Sequence, residues 1–286
     1  MSTALNNSLY QPRAMRHRPW GKWGLRGTAF LYLGVMIALP LLAVVKTGIV
    51  DGPAAFLRDI ATPTAVGALK LTLILALFMT AINAVVGTLT AYVLVRYQFP
   101  GRKLLNALVD APFAIPTLVT GVMLVVLYGP QQFLGAWFES HGIRIIFDRP
   151  GIVLALLFVT YPFVIRTVQP VLLELKTDQE EAAYTMGASK WMTFRTIVLP
   201  NITPAIITGS LLSFARALGE FGSVVAVAGN IPGRTLTAPV YLYGQIESQN
   251  IRSASAISIL LLAISFSLML AVDTLQHRGW KSNVHD

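Results

Sequence analysis

The 286-residue chain has no cysteine, and only 12% of its residues are charged. The first absence excludes disulfides, thiolate metal sites and thiol redox chemistry. The second sets the chain apart from soluble domains, in which roughly 25% of residues are charged. Histidine is scarce as well. His17, His141, His277 and His285 lie too far apart in sequence to form a metal-spaced pair, so no metal site is expected. No Gly-x-x-x-x-Gly-Lys-Ser/Thr occurs. Gly21-Lys22-Trp23 comes nearest, but it lacks the upstream glycine and the hydroxyl, so a nucleotide-binding P-loop is not expected. There is no Ser/His/Asp constellation, no pair of catalytic carboxylates and no dinucleotide fingerprint. The expectation is a chain without a catalytic site of its own and without a bound cofactor.

What the chain has is apolar length. Hydrophobic residues make up 55% of it, and the mean hydropathy is +0.64. A run of about 20 apolar residues crosses a bilayer core of about 30 Å. Six such runs are read here, at residues 27–45, 69–95, 104–128, 151–168, 206–228 and 256–272. The fold class expected is all-α, a polytopic membrane domain of six transmembrane helices over 27–272. A tail at 1–26 precedes it and another at 273–286 follows. The first run ends in Val44-Val45-Lys46 without a small-residue cleavage site, so it reads as a retained span and not as a signal peptide.

The net charge of +9 is best read through the membrane, because basic residues collect in cytoplasmic loops. No nucleic-acid partner is inferred from it. Six spans put both termini on one side. That side holds fourteen of the 22 basic residues, from Arg13, Arg16 and Arg18 through Arg96, Arg102 and Lys103 to Arg278 and Lys281. The opposite side holds seven, among them Lys46, Arg144 and Arg234, and Arg216 lies inside a span. Both termini are therefore expected in the cytoplasm, together with the largest loop, 169–204. Trp20, Trp23, Tyr97, Tyr128 and Tyr161 flank the spans as interfacial anchors.

That loop reads as a mechanical part. Thr177-Asp178-Gln179-Glu180 has the form of a capping box, which predicts a short helix from Asp178 to about Met186. Gly187 then takes the left-handed conformation that closes a helix. Ser189 caps a second helix toward Leu199, and Pro200 stops it. Thr203-Pro204 is expected to start the next span. Ala182 and Ala183 keep one face of the first helix thin for a partner, and Glu180 and Glu181 offer acceptors to a basic one.

Glu181-Ala182-Ala183, three residues, Gly187, nine residues, then Ile197-x-Leu199-Pro200 resembles the EAA loop of type I ABC importer permeases. Arg96 to Arg102, Pro112 to Thr117, Arg166 to Leu172, Arg216 to Ser223 and Ala228 to Gly233 resemble the sulfate/thiosulfate permeases, most closely their T-type subunit. The likeness runs from about Leu69 to Gln276. The block Leu218-Gly219-Glu220-Phe221-Gly222 is shared with molybdate permeases.

The resemblance implies the type I ABC importer permease fold. It implies a second, W-type permease subunit, lipid around the pair, an ABC ATPase dimer that binds ATP and magnesium, and an extracytoplasmic sulfate-binding protein. It implies that Glu181, Ala182, Ala183, Gly187, Ile197, Leu199 and Pro200 couple the ATPase to the pore. The expected location is the bacterial inner membrane, with a plastid membrane as the alternative. A molybdate or tungstate permease is the neighbouring reading, and an ATPase-independent secondary anion transporter or channel is the reading of another class.

Arg216 and Glu220 stand four residues apart inside an apolar run. Ionisable groups in such a place face a bundle interior or an aqueous cavity. Two readings stay open: a paired charge that orients the helix, or a cation beside the path of a dianion with Glu220 limiting its grip. Ser213 on the same run, and Thr117 after Pro116, are further candidates for the pathway or its gate. Hydroxyls there equally suit helix packing, and the prolines equally suit a static kink.

Overall fold

The computed structural model describes residues 19–282, with side chains from Trp23 to Leu270 and at Thr274. The basic tail with Arg13, Arg16 and Arg18, and the end of the chain with His285, lie outside the described residues. All the secondary structure among the described residues is helical.

The described residues fall into two units that divide between Lys46 and Thr47. The first contributes helix α1 (Pro19–Leu33), a π-helical turn (Gly34–Ala38) and most of α2 (Leu39–Ile49). Trp23–Ile49 is long and apolar enough to cross a membrane, and none of its most apolar window is buried inside the chain.

In the second unit, α3 (Pro53–Ile60) leads into the 34-residue α4 (Pro63–Arg96). Thr62 caps α4 by accepting the amide of Ala65, with Pro63 at the first helical position. Next come α5 (Arg102–Ala114), α6 (Thr117–Tyr128), α7 (Phe133–Ser140) and α8 (Arg149–Glu174). The loop expected at 169–204 supplies α9 (Thr177–Thr185), α10 (Lys190–Thr193) and a second π turn (Phe194–Val198). These lead to α11 (Leu199–Leu218), α12 (Gly222–Ala228), α13 (Ala238–Glu247) and α14 (Ile251–Ser282).

Among the described residues, five helical stretches are long and apolar enough to span a membrane: Trp23–Ile49, Pro63–Arg96, Arg149–Glu174, Lys190–Leu218 and Ile251–Leu270. A sixth is counted if α5 and α6 form one span, and these two meet at 113°. The run expected as one helix at 104–128 is thus broken. Ile115 is extended at its ψ of 123°, as the residue before Pro116 must be to avoid the proline ring. The run expected at 206–228 is broken too. It begins earlier, within Lys190–Leu218, and stops at Gly219 before α12 resumes.

Helices α4, α8 and α11 form the core. Apolar helices gain little by leaving lipid for one another, so close packing and buried hydrogen bonds must hold them. Leu75, Met79, Ile152, Leu156, Ala217 and Leu218 make one cluster. Ala91, Leu94, Val164, Val168, Leu172 and Ile202 make a second. A polar knot lies within the same three helices. The Asn83 amide donates to Thr160 Oγ1 at 2.9 Å and to Ser213 Oγ at 3.4 Å. Thr160 in turn donates to the Leu156 carbonyl at 2.7 Å.

Candidate functional site

The loop between α8 and α11 departs from the sequence expectation at its start. Thr177 is the first helical residue of α9 and not its cap, and Lys176 at the cap position makes no side-chain bond. Glu180, expected to close a capping box, is buried and forms an ion pair with Arg96 at the end of α4, Nη2 to Oε1 at 2.6 Å. Arg96 also donates to the Leu175 carbonyl at 3.2 Å. The Arg96 guanidinium thus claims the carboxylate that was expected to face outward. Ala183 is buried as well and faces this chain, whereas Glu181 and Ala182 are exposed.

The elbow forms where it was expected. Gly187 has φ +87°, a conformation that glycine adopts at no steric cost. Its amide donates to Tyr184 O and the Ala188 amide to Ala183 O, both at 3.0 Å. These are the two bonds of a Schellman closure. Ser189 then caps the next helix by accepting the Met192 amide at 3.2 Å. Around the elbow, Met186, Trp191 and Met192 stand exposed, and Trp191 stacks on Phe194 at 5.8 Å.

Pro200 does not stop this helix. Lys190–Leu218 runs unbroken for 29 residues, through Pro200 and Pro204. The π turn explains how. A proline in an α-helix clashes with the carbonyl four residues back and leaves it without a donor. Across Phe194–Val198 the ladder widens, and the Leu199 amide reaches back to Phe194 O. Pro200 follows one residue later. Pro40 stands in the same relation to the π turn Gly34–Ala38, where the Leu39 amide bonds Gly34 O. Thr203 caps nothing, since its hydroxyl donates to the Leu199 carbonyl at 2.7 Å. Ile197, Leu199 and Pro200 therefore sit on the helix that joins the elbow to the span.

At the far end of that helix, Arg216 and Glu220 pair, Nη1 to Oε2 at 2.8 Å. Glu220 lies past the end of α11, in the break. Its other oxygen accepts both the amide and the hydroxyl of Ser223 at 2.8 Å. The carboxylate is thus held from both sides, with its side chain 1% exposed. The Arg216 side chain is 34% exposed. Among the described residues its guanidinium makes this one ion pair.

Thr117 belongs to the same junction. The first turn of α6 lies against the first turn of α12 so closely that a Cβ on Gly222 would meet Thr117 Oγ1 at 2.3 Å. A Cβ on Gly121 would meet Ser223 O at 2.7 Å. Two broken spans thus meet at their breaks, with Pro116 on one side and Gly219 to Phe221 on the other. Ser213 lies elsewhere, fully buried in the polar knot of α4, α8 and α11. Its hydroxyl accepts from the Asn83 amide there.

Two polar clusters went unnoticed in the sequence. Arg166 on α8 clasps Asp110 on α5 with two N–H groups, at 2.7 and 2.6 Å, and bonds Asn106 as well. Asp148, which caps α8, pairs with Arg234 at 2.7 Å. That contact holds the Asp148 carboxyl below its ordinary pKa, helped by the Arg149 amide and opposed by partial burial. Sequence spacing carried no signal for either partnership, since their members stand 56 and 86 residues apart.

Residues 83–280 match the family of the binding-protein-dependent transport system inner membrane component. The sulfate transport system permease protein CysT of Escherichia coli strain K12 is 42% identical over 252 residues, covering 88% of this chain and 91% of that one. The protein of that name in Synechocystis is 42% identical over 249 residues, covering 87% of each. Among solved structures, a bacterial ABC transporter that imports the acidic polysaccharide alginate superposes with TM-score 0.77 at 16% identity, covering 91% of this chain and 96% of that one. That likeness speaks for the fold, a multi-pass ABC permease architecture. The chain therefore belongs to the inner membrane components of binding-protein-dependent transport systems, in the branch whose members are named sulfate transport system permease proteins.

Proposed function

We propose that this chain is one of two permease subunits of an ATP-driven importer of sulfate and thiosulfate in the bacterial cytoplasmic membrane. Both termini face the cytoplasm. Its partners are a W-type permease subunit, an ABC ATPase dimer that carries ATP and magnesium, an extracytoplasmic sulfate-binding protein and the surrounding lipid. The reading rests first on the 42% identity to sulfate permeases over most of both chains.

The continuity of Lys190–Leu218 supports the mechanical half of the reading. A docking surface of Glu181, Ala182, Met186, Trp191 and Met192 lies at one end. Ala183 and Gly187 fix its shape from within, and Ile197, Leu199 and Pro200 carry it into the span. Arg216, Glu220 and Thr117 lie at the other end, where two helices are interrupted. Movement of the ATPase at the elbow is delivered through one continuous helix to the junction. Arg216 offers a fixed cation to a dianion there, because carrying such a charge across a low-dielectric region is costly without one. Glu220 takes up one edge of the guanidinium, so the anion is held weakly enough to leave.

The test is the reconstituted complex with radiolabelled sulfate. ATP-dependent uptake that requires loaded binding protein and is competed by thiosulfate is expected. Uptake of molybdate in preference to sulfate would move the chain to the neighbouring branch. Uptake without ATP would refute the importer reading.

A further inference from the structure

A cavity of about 900 Å³ opens where α4 ends and α5 begins, against the last turns of α8. Leu94, Val95 and Phe99 line its inner wall, and the exposed Leu104 and Leu173 stand at its mouth. Gln98, Arg102, Lys103 and Asn106 supply its polar side. No acidic side chain lines it. Arg166 also reaches the cavity, but Asp110 and Asn106 already occupy its donors. Arg102 and Lys103 are different. Neither has a carboxylate partner among the described residues, and the first turn of α5 adds its partial positive charge beside them.

Apolar walls that end in two unpaired cations match one kind of molecule. A small free oxyanion needs the cations but gains nothing from Leu94, Phe99 and Leu173. A phospholipid uses both halves. The position agrees: Arg96 ends the span α4 and Glu174 ends the span α8, so the cavity lies at a membrane boundary. Basic pockets between helices at that level hold lipid headgroups.

We propose that this cavity is a binding site for an anionic phospholipid, with the phosphate at Arg102 and Lys103 and the upper acyl chain along Leu94, Phe99 and Leu173. The site rests on the membrane-spanning reading of α4 and α8 and is independent of the transported substrate. It bolts the short connection 97–101 to the lipid, just beyond Arg96, which holds the coupling loop.

The experiment is native mass spectrometry and thermal unfolding of the whole transporter complex in nanodiscs of phosphatidylglycerol or phosphatidylcholine. The wild type is expected to retain phosphatidylglycerol and to unfold at a higher temperature in it. Arg102→Gln/Lys103→Gln should bind that lipid about thirty-fold more weakly and lose the difference between the two nanodiscs. Arg102→Lys/Lys103→Arg should keep both. If the double glutamine variant fails to assemble, Arg102→Gln and Lys103→Gln alone should each weaken binding by about five-fold. Equal retention of phosphatidylglycerol by wild type and glutamine variants overturns the proposal. So does equal retention of phosphatidylcholine by the wild type. Displacement of the lipid by millimolar sodium sulfate overturns it in favour of a free-oxyanion site. Loss of sulfate transport with lipid binding intact bears on the proposed function and leaves this site standing.

Discussion

Arg96 Nη2 and Glu180 Oε1 lie 2.6 Å apart, joining the end of α4 to the first turn of α9. Glu180 is buried and the Arg96 side chain is 13% exposed. Removing one charge strands the other, which typically costs about 3–5 kcal/mol, whereas removing both costs far less. Arg96→Met and Glu180→Leu are each expected to lower the unfolding temperature and reduce the amount of ATPase that co-purifies. The double variant should recover most of the stability but little of the coupling, read as ATP hydrolysis stimulated by binding protein. Recovery of both would make the pair a fold determinant alone.

Gly187 tests the elbow. A β-branched residue at φ +87° is a strained outlier, with a cost of order 1–3 kcal/mol. Gly187→Val should insert in the membrane yet lose the ATPase, whereas Gly187→Asn should keep part of it. Unchanged co-purification in the valine variant argues against docking at this elbow.

Arg216 separates pathway from strut. Arg216→Ala should abolish sulfate uptake while assembly and binding-protein-stimulated hydrolysis persist. Glu220→Gln weakens the ion pair and should slow transport, either by stronger retention of the anion or by misplacing Arg216. If Arg216→Ala loses assembly or thermal stability along with transport, the residue is a structural strut and its place in the pathway is refuted.

Orientation is open to direct labelling because the wild type has no cysteine. A membrane-impermeant thiol reagent on intact cells should modify Ser248→Cys, after α13, and spare Ser189→Cys at the elbow. The reverse pattern would put the coupling loop outside and remove the case for an ATPase partner.

Asp148 gives a pH signature. Its folded pKa is lowered by Arg234, so the contribution of this contact is complete above the unfolded value of about 4. It is lost as pH falls through the lower, folded value. The unfolding temperature of the wild type should therefore converge on that of Asp148→Asn as the medium is acidified below about pH 4. A constant gap between the two at every pH would show that the contact acts through packing and not through charge.

The helical class, the apolar runs, the Gly187 elbow and the Ser189 cap were legible in the sequence, because each follows from local chemistry. The same local rules misled where a distant group competed. Glu180 fits a capping box, but Arg96 lies 84 positions away in the chain and offers a cation at 2.6 Å. Ala183 looks like a thin outward face, yet packing turns it inward. Pro200 looks like a stop, and a change in helix period lets it pass. The Arg216–Glu220 contact was legible from a spacing of four even though Glu220 lies outside the helix. Ser223 as its third anchor was not, since the break at Gly219 had to be seen first.

The π turn at Phe194–Val198 also sets an angular phase. Such a turn is an α-helix with one residue inserted, and each residue of an α-helix advances it by about 100° and 1.5 Å. Everything beyond Leu199 is therefore rotated by about that angle relative to the elbow, compared with a regular helix of the same sequence. The direction in which Arg216 points, seen from the elbow, is fixed by one residue inserted five turns earlier. An insertion of this kind lets the two ends of one helix be aligned separately, without a change in the residues at either.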